Sequence, residues 1–99
     1  MRLSEQQQTI IRSSVAENFG ADAVVRLFGS RTDDSQRGGD IDLLIETKLP
    51  LAHRIQDECR LAAQLYIKLG GRKVDVLLKD ALSPMLPIYE QALRTGIVL

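Results

Sequence analysis

The sequence predicts an α/β (α+β) fold in which helices pack against one small mixed β-sheet. Segments with helical periodicity alternate with short β-branched and apolar runs, in the order helix, strand, loop, strand, helix, strand, helix. The chain has 99 residues, of which 44% are hydrophobic and 26% are charged. These values predict a single domain over residues 1–99 with one modest core, and they leave the direction of each strand open.

The first helix is expected to begin at Ser4. The run from Ser4 to Gln7 has the capping-box pattern, in which each side chain accepts a hydrogen bond from the other residue's backbone amide. Gly20 is suited to end this helix in a left-handed conformation. Apolar residues at helical spacing predict a core-facing side made of Ile10, Ile11, Val15 and Phe19.

Three apolar runs predict strands, over residues 23–28, 40–45 and 73–78. The segment between Gly29 and Asp40 is too polar for a core and long enough to hold a short helical turn. The final residues, 97–99, form an apolar tail that is able to add a strand to a sheet edge.

A long helix is expected after Pro50 and a last helix after Ser83-Pro84, which form an N-cap and N1 pair. Pro87 is placed to disturb the first turn of that last helix. The long helix carries an apolar stripe made of Leu51, Ile55, Cys59, Ala62, Tyr66 and Leu69, and the last helix carries one made of Met85, Ile88, Tyr89 and Ala92.

Single residues on these helices receive structural interpretations. Cys59 is expected to be a small buried hydrophobe and not a reactive thiolate. Tyr66 and Tyr89 are expected in the core or at an interface, and His53, the one histidine, at the surface.

Composition excludes several classes of function. Thirteen basic residues balance thirteen acidic ones, which argues against an extended nucleic-acid surface. A single cysteine excludes an internal disulfide, and no apolar run is long enough for a membrane span. We therefore expect a cytoplasmic protein with no membrane association. The apolar helical faces are compatible with a homo- or hetero-oligomer.

Three aspartates interrupt otherwise apolar strands and need an explanation. Asp40 and Asp42 are two residues apart, so their side chains should share one face of a strand, and Asp75 on another strand is able to complete the cluster. Ionised carboxylates in such a setting are unfavourable unless they are paired or bound to a cation, and Mg²⁺ prefers oxygen ligands. The alternative is structural: Asp40 as a turn residue after two glycines, and Asp75 on an edge strand facing water.

A glycine follows the first strand directly. Gly29 would let the backbone approach an anion, and successive amides from Gly29 and Ser30 would cradle phosphate oxygens. A helical turn starting at Ser30 would add its positive end. The pair alone is weak evidence, but nine residues separate it from the Asp-x-Asp strand, which places a phosphate cradle beside a metal site.

The combination resembles the nucleotidyltransferase domains of the DNA polymerase beta superfamily. Gly29-Ser30, nine residues, Asp40-Ile41-Asp42 and a later Val74-Asp75-Val76 strand carry the resemblance. It covers residues 23–78 closely, and the length and flanking helices are similar to the minimal nucleotidyltransferases (MNT). The resemblance implies a polymerase beta-like fold.

The same resemblance implies roles for individual residues. Asp40, Asp42 and Asp75 would be the catalytic and metal-ligating carboxylates for two Mg²⁺ ions, with Asp75 on the acceptor side, where it would also be placed to act as base. Gly29 and Ser30 would hold the triphosphate of ATP or another nucleoside triphosphate, and Arg31 is a candidate phosphate contact. The sequence departs from its relatives in the acidic run Thr32-Asp33-Asp34, which is expected to weaken nucleotide binding.

The family resemblance also implies a partner. Minimal nucleotidyltransferases are paired with helical HEPN proteins in toxin–antitoxin arrangements, so the implied activity is AMP transfer to a HEPN-type toxin. The alternative is a non-catalytic antitoxin that neutralises or stabilises a helical partner by binding alone. Transfer to a small molecule is a third option, for which a second, acceptor-holding domain is lacking. The acceptor and the nucleotide base are not specified by the sequence.

Overall fold

In a computed structural model, which describes residues 3–29 and 40–99, helices and a mixed sheet alternate. The elements are α1 (Glu5–Phe19), β1 (Val24–Phe28), β2 (Ile41–Glu46), α2 (Arg54–Lys68), β3 (Val74–Lys79), α3 (Pro87–Thr95) and β4 (Ile97–Val98). The strand order is β3-β2-β1-β4, with β1 antiparallel to β2 and β4, and β2 parallel to β3. The predicted α+β fold with a mixed sheet is confirmed, and the apolar tail does add the edge strand β4.

Helices cover both faces of the sheet. Strand side chains alternate between the faces, so each strand contributes to two apolar clusters. The larger cluster joins one face to α1 and α2 through residues that include Ile11, Leu27, Leu43, Leu61 and Leu78. The smaller cluster joins the other face to α3 through Phe28, Leu44, Tyr89 and Ala92. None of the helices in the described part of the chain is long and apolar enough to cross a membrane.

The first helix begins and ends where the sequence predicts. Ser4 is the N-cap, with both capping-box hydrogen bonds to Gln7 formed. Gly20 ends the helix at φ +91°. Ile11 and Val15 are fully or almost fully buried, as expected for the core-facing side.

The apolar stripe predicted for α2 is confirmed at Leu51, Ala62 and Leu69, which pack with the core, and wrong at its other three positions. The residues of α2 that enter the core are Leu61 and Leu65, with Leu69 following the helix. Ile55, Tyr66 and Cys59 are exposed, so Cys59 is not the buried hydrophobe that the pattern indicated. The helix carries two apolar stripes, and the packing of α2 on β3 selects the one that the periodicity did not single out.

The last helix begins later than predicted. Its first residue is Pro87, at the N1 position, where a missing amide hydrogen is tolerated, so this proline begins the helix and does not disturb it. Ser83 lies before the helix, and its hydroxyl accepts a hydrogen bond from the Asp80 amide and donates one to the Asp80 carboxylate. Tyr89 is buried as expected, whereas Met85 and Ile88 are exposed.

Candidate active site

The parallel pairing of β2 and β3 brings the predicted carboxylates to one end of the sheet. Asp42 and Asp75 are direct register partners on these neighbouring strands. Asp40 immediately precedes β2, two residues from Asp42 and therefore directed to the same face. This face is the one that α3 covers further along the strands, where Leu44 is fully buried. At this end of the strands the side chains of Asp40 and Asp75 are 42% and 50% exposed.

The Asp42 carboxyl has a raised pKa. Burial raises the pKa of the Asp42 carboxyl, and the negative charges of Asp75 and Asp40 raise it further. A side-chain hydrogen bond between Asp42 and Asp75 favours the protonated form in the same direction, whereas the Lys73 ammonium opposes the shift. The negative charges of the three carboxylates therefore repel one another. Protonation of Asp42 reduces this repulsion in part, and a bound cation would reduce it further.

Lys73 supplies a positive charge to this cluster. Its Nζ atom lies 3.4 Å from Asp40 Oδ2 and 4.0 Å from Asp75 Oδ1. The side chain is 69% exposed, so each ion pair is weak in energy, but the ammonium stands beside two of the three acidic groups. Sequence reasoning missed this residue, although Lys73 is two residues from Asp75 and the period of a strand places both on one face.

Gly29 stands against the Asp42 side chain at the end of β1. Its φ is +75°, a left-handed conformation that favours glycine. A Cβ added at this position would lie 2.3 Å from Asp42 Oδ2, closer than any real contact. The absence of a side chain at residue 29 therefore leaves room for the carboxylate and brings the backbone close to the acidic cluster.

The donor chemistry of the cluster fits a magnesium ion that is shared with a nucleotide. All the ligands offered are carboxylate oxygens, which hard divalent cations prefer. Within residues 3–29 and 40–99, no group of three or more acidic, histidine or cysteine side chains is placed so that it could hold a metal ion on its own. Mg²⁺ sites of nucleotide enzymes commonly use one or two carboxylates and take their remaining ligands from phosphates and water, so a complete protein cage is not required.

Part of the predicted site lies outside the described residues. Ser30, Arg31 and the acidic run Thr32-Asp33-Asp34 belong to this part, as does the short helical turn expected after Gly29. Their predicted roles in binding phosphate, or in weakening it, stay predictions.

Comparison with protein families gives a match that spans nearly the whole chain. The model of the family described as nucleotidyltransferase domain matches residues 9–97. No curated protein matches this chain.

Solved structures share the fold at low sequence identity. One holds the tri-AMPylated Shewanella oneidensis HEPN toxin in complex with MNT antitoxin; its TM-score is 0.72 at 21% identity, over 97% of this chain and 71% of that chain. A toxin–antitoxin structure with AMP-PNP gives a TM-score of 0.73 at 23% identity, over 97% and 72%. A mutant of the toxin–antitoxin MntA-HpeT gives 0.71 at 22%, over 93% and 70%. These likenesses establish the polymerase beta-like nucleotidyltransferase fold.

Proposed function

We propose a function for this chain, which belongs to the nucleotidyltransferase domain family. The proposed activity is magnesium-dependent transfer of AMP from ATP to a hydroxyl group on a HEPN-type partner protein: the hydroxyl oxygen bonds to the α-phosphorus, and pyrophosphate and the hydroxyl proton leave. This modification would silence the partner. In this role the chain is an antitoxin that acts by modification. We also propose that it works in the cytoplasm, as one domain over residues 1–99.

The observation that carries the proposal is the convergence of Asp40, Asp42 and Asp75. Burial and mutual repulsion make this arrangement unfavourable for a domain that only binds a partner. A cation-dependent reaction gives the three carboxylates a common purpose. The AMP-PNP and AMPylated-toxin complexes among the structural relatives support ATP as the nucleotide and a protein as the acceptor.

The residues of this chain have distinct tasks in the proposed reaction. Asp40, Asp42 and Asp75 would hold Mg²⁺, which when bound neutralises phosphate charge and favours deprotonation of the acceptor hydroxyl. Gly29 would bring backbone amide groups close to the triphosphate, because no side chain intervenes at that position. Asp75 is the most exposed of the three carboxylates, so it would be the first to meet an acceptor that arrives from solvent.

Lys73 would contribute charge balance. Its ammonium lies 3.4 Å from Asp40 Oδ2 and 4.0 Å from Asp75 Oδ1. An exposed lysine on a flexible stem can turn from these carboxylates toward a phosphate when a cation takes its place. We propose that Lys73 helps to hold the nucleotide in this way.

The test is a transfer assay with ATP labelled at the α-phosphate. The chain is incubated with labelled ATP, magnesium and the protein encoded beside it, and label on protein is measured. Label on the neighbour that disappears in the Asp42→Asn variant would support the proposal, because this substitution removes a charge at nearly constant volume. Asp22→Asn is the matched control, since Asp22 is exposed and lies before β1, at the opposite end of that strand from Gly29.

Two results would contradict the proposal. Transfer by the Asp42→Asn variant at the wild-type rate would place the chemistry elsewhere. A stable complex with the neighbour and no transfer under any metal condition would favour the non-catalytic alternative, in which the chain neutralises its partner by binding alone.

A further inference from the structure

The outer edge of β3 is open at one end and closed at the other. β3 is the last strand on its side of the sheet, so one row of its backbone groups faces away from β2. Lys73 and Lys79 direct their carbonyl oxygens to β2, where they accept hydrogen bonds from Ile41 and Thr47. Because the backbone alternates in direction, Val74, Val76 and Leu78 must direct their N–H and C=O groups to the outer edge.

Side chains from two helices close this edge at Leu78. The Glu58 carboxylate of α2 accepts a hydrogen bond from the Leu78 amide at 2.8 Å, and the Tyr89 hydroxyl of α3 donates one to the Leu78 carbonyl at 2.9 Å. Arg54 Nη1 joins the two, at 3.2 Å from Glu58 and 3.3 Å from Tyr89. We call these three residues the edge clamp. It blocks strand addition at the Leu78 end of β3.

Among the described residues, no such side chain closes the edge at Val76, although the residue itself is only 8% exposed. In the described part of the chain, the structure gives no hydrogen-bond partner to the outward backbone groups of Val76. A groove of about 200 Å³ runs beside it, lined by Glu58, Cys59 and Ala62 of α2 and by residues 74–76 of β3. The groove therefore combines unpaired strand backbone with a small apolar wall, and Asp75 belongs to its lining.

We propose that this groove binds an extended segment of the acceptor protein, which pairs with β3 as an added strand and presents its hydroxyl group to Asp75. The inference deepens the proposed function and rests on it. An added strand would pair through Val76, which makes Asp75 a position without hydrogen bonds to the new strand. At such positions the facing side chains lie on one face with Cβ atoms about 5 Å apart.

This geometry specifies where the hydroxyl arrives. A side chain opposite Asp75 on the added strand would point to the face that carries Asp40 and Asp42 as well. The edge clamp limits the register on one side, because the new strand cannot extend past Leu78. Strand addition to an exposed edge gives affinity through the main chain and leaves selection to the side-chain pockets, here the wall made by Cys59 and Ala62.

The single cysteine of the chain provides a direct probe of the groove. Cys59 is exposed and lines it, so occupation should slow the alkylation of Cys59 by iodoacetamide. The probe protein is the protein encoded beside this chain, added at about ten times its dissociation constant. The expected result is about tenfold slower alkylation, together with slower hydrogen exchange at the Val76 amide. Unchanged alkylation and exchange in a complex that forms would overturn the proposal.

A pair of variants separates the groove from the catalytic cluster. Cys59→Arg places a bulky charge in the groove, and Ala63→Arg places the same side chain on an exposed neighbouring position of α2 that does not line it. Cys59→Arg is expected to raise the KM for the acceptor protein about tenfold with ATP binding unchanged, and Ala63→Arg to leave both unchanged. Equal acceptor KM values for the two variants would overturn the proposal.

The outcomes also distinguish the two proposals. If AMP is transferred at the wild-type rate but Cys59 is not protected from alkylation and Val76 is not protected from exchange, the groove proposal is wrong and the proposed function stands. Protection without transfer contradicts the proposed function, and with it the identity of the bound segment as an acceptor. Protection that depends only on the concentration of this chain assigns the edge to a second copy, which overturns the acceptor proposal.

Discussion

Replacing Gly29 by alanine tests the close approach of β1 to the Asp42 carboxylate. Gly29 has φ +75°, and an added Cβ would lie 2.3 Å from Asp42 Oδ2 and 3.2 Å from its Cγ. Gly70 has a φ of +72°, yet a Cβ at this position would meet no described atom within 4 Å. Gly70→Ala is therefore a matched control that shares the backbone strain and lacks the contact.

The magnitudes follow from these two contributions. An L-residue in the left-handed conformation loses about 1–2 kcal/mol, and this loss is common to both variants. At Gly29 the Asp42 carboxylate must also rotate away from the new methyl group, into a space that it shares with Asp40 and Asp75. An off-rotamer side chain costs about 1 kcal/mol. We expect unfolding free energies lower by about 2–3 kcal/mol for Gly29→Ala and about 1–2 kcal/mol for Gly70→Ala.

Urea denaturation measures both values, and a double mutant isolates the contact. In the Asp42→Ala background, which removes the carboxylate, the extra loss of about 1 kcal/mol at Gly29 should vanish. A displaced Asp42 should also reduce AMP transfer about 100-fold in Gly29→Ala, with Gly70→Ala near wild type. If the extra loss of unfolding free energy persists without the Asp42 carboxylate, or if the losses at Gly29 and Gly70 are equal, contact with Asp42 is not its cause.

Three further predictions concern stability. The pKa of Asp42 is raised above its ordinary 3.8, so the folded protein holds this proton at pH values where the unfolded chain has lost it. Wild-type stability should therefore fall as the pH rises from 3.8 through the raised pKa of the folded state. The free energy of unfolding of Asp42→Asn should therefore exceed that of the wild type by about 0.5–1 kcal/mol at pH 7, since the group is only partly buried, and should show no gain below pH 3.8. Equal gains at both pH values would be inconsistent with this cause. The pKa of Asp80 is lowered, chiefly by the hydrogen bond from the Leu51 amide, so Asp80 should stabilise the fold above pH 3.8 and lose this effect as acid is added. Acid titrations of wild type and Asp80→Asn that run parallel would contradict that assignment. Tyr89→Phe removes the hydroxyl that bonds the Leu78 carbonyl and should lower the unfolding free energy by about 1–2 kcal/mol in urea; a loss under about 0.3 kcal/mol would mean that the edge clamp contributes little.

Local signals in the sequence predict much of the fold. The capping box at Ser4 and Gln7 involves residues three apart, so the start of α1 depends on no distant contact. The three strands follow from short apolar runs, and their bounds shift by only one residue at β1, β2 and β3. The short polar connection between β1 and β2 and the helix between β2 and β3 agree with the antiparallel and parallel pairings observed.

Tertiary packing decides what the sequence leaves open. Ile55, Cys59 and Tyr66 have the spacing of a core stripe, but Leu61 and Leu65 have it equally, and contact with β3 buries the second set. A periodic pattern shows that a helix has an apolar side and does not show which of two sides is covered.

The candidate site divides in the same way. Spacing places Asp40 and Asp42 together, whereas the register that sets Asp75 opposite Asp42 belongs to the sheet as a whole. The edge clamp of Arg54, Glu58 and Tyr89 joins two helices through a strand end, so no local pattern indicates it.

Binding of Mn²⁺ in the presence of AMP-PNP shows directly whether Asp40, Asp42 and Asp75 act as one cation site. Electron paramagnetic resonance reports free Mn²⁺ without requiring transfer or a partner protein. We expect saturable binding by the wild type, affinity lowered at least about tenfold in Asp42→Asn and Asp75→Asn, and wild-type affinity in Asp22→Asn. Binding that is unchanged by both active-site substitutions, or no saturable binding at all, would contradict this expectation.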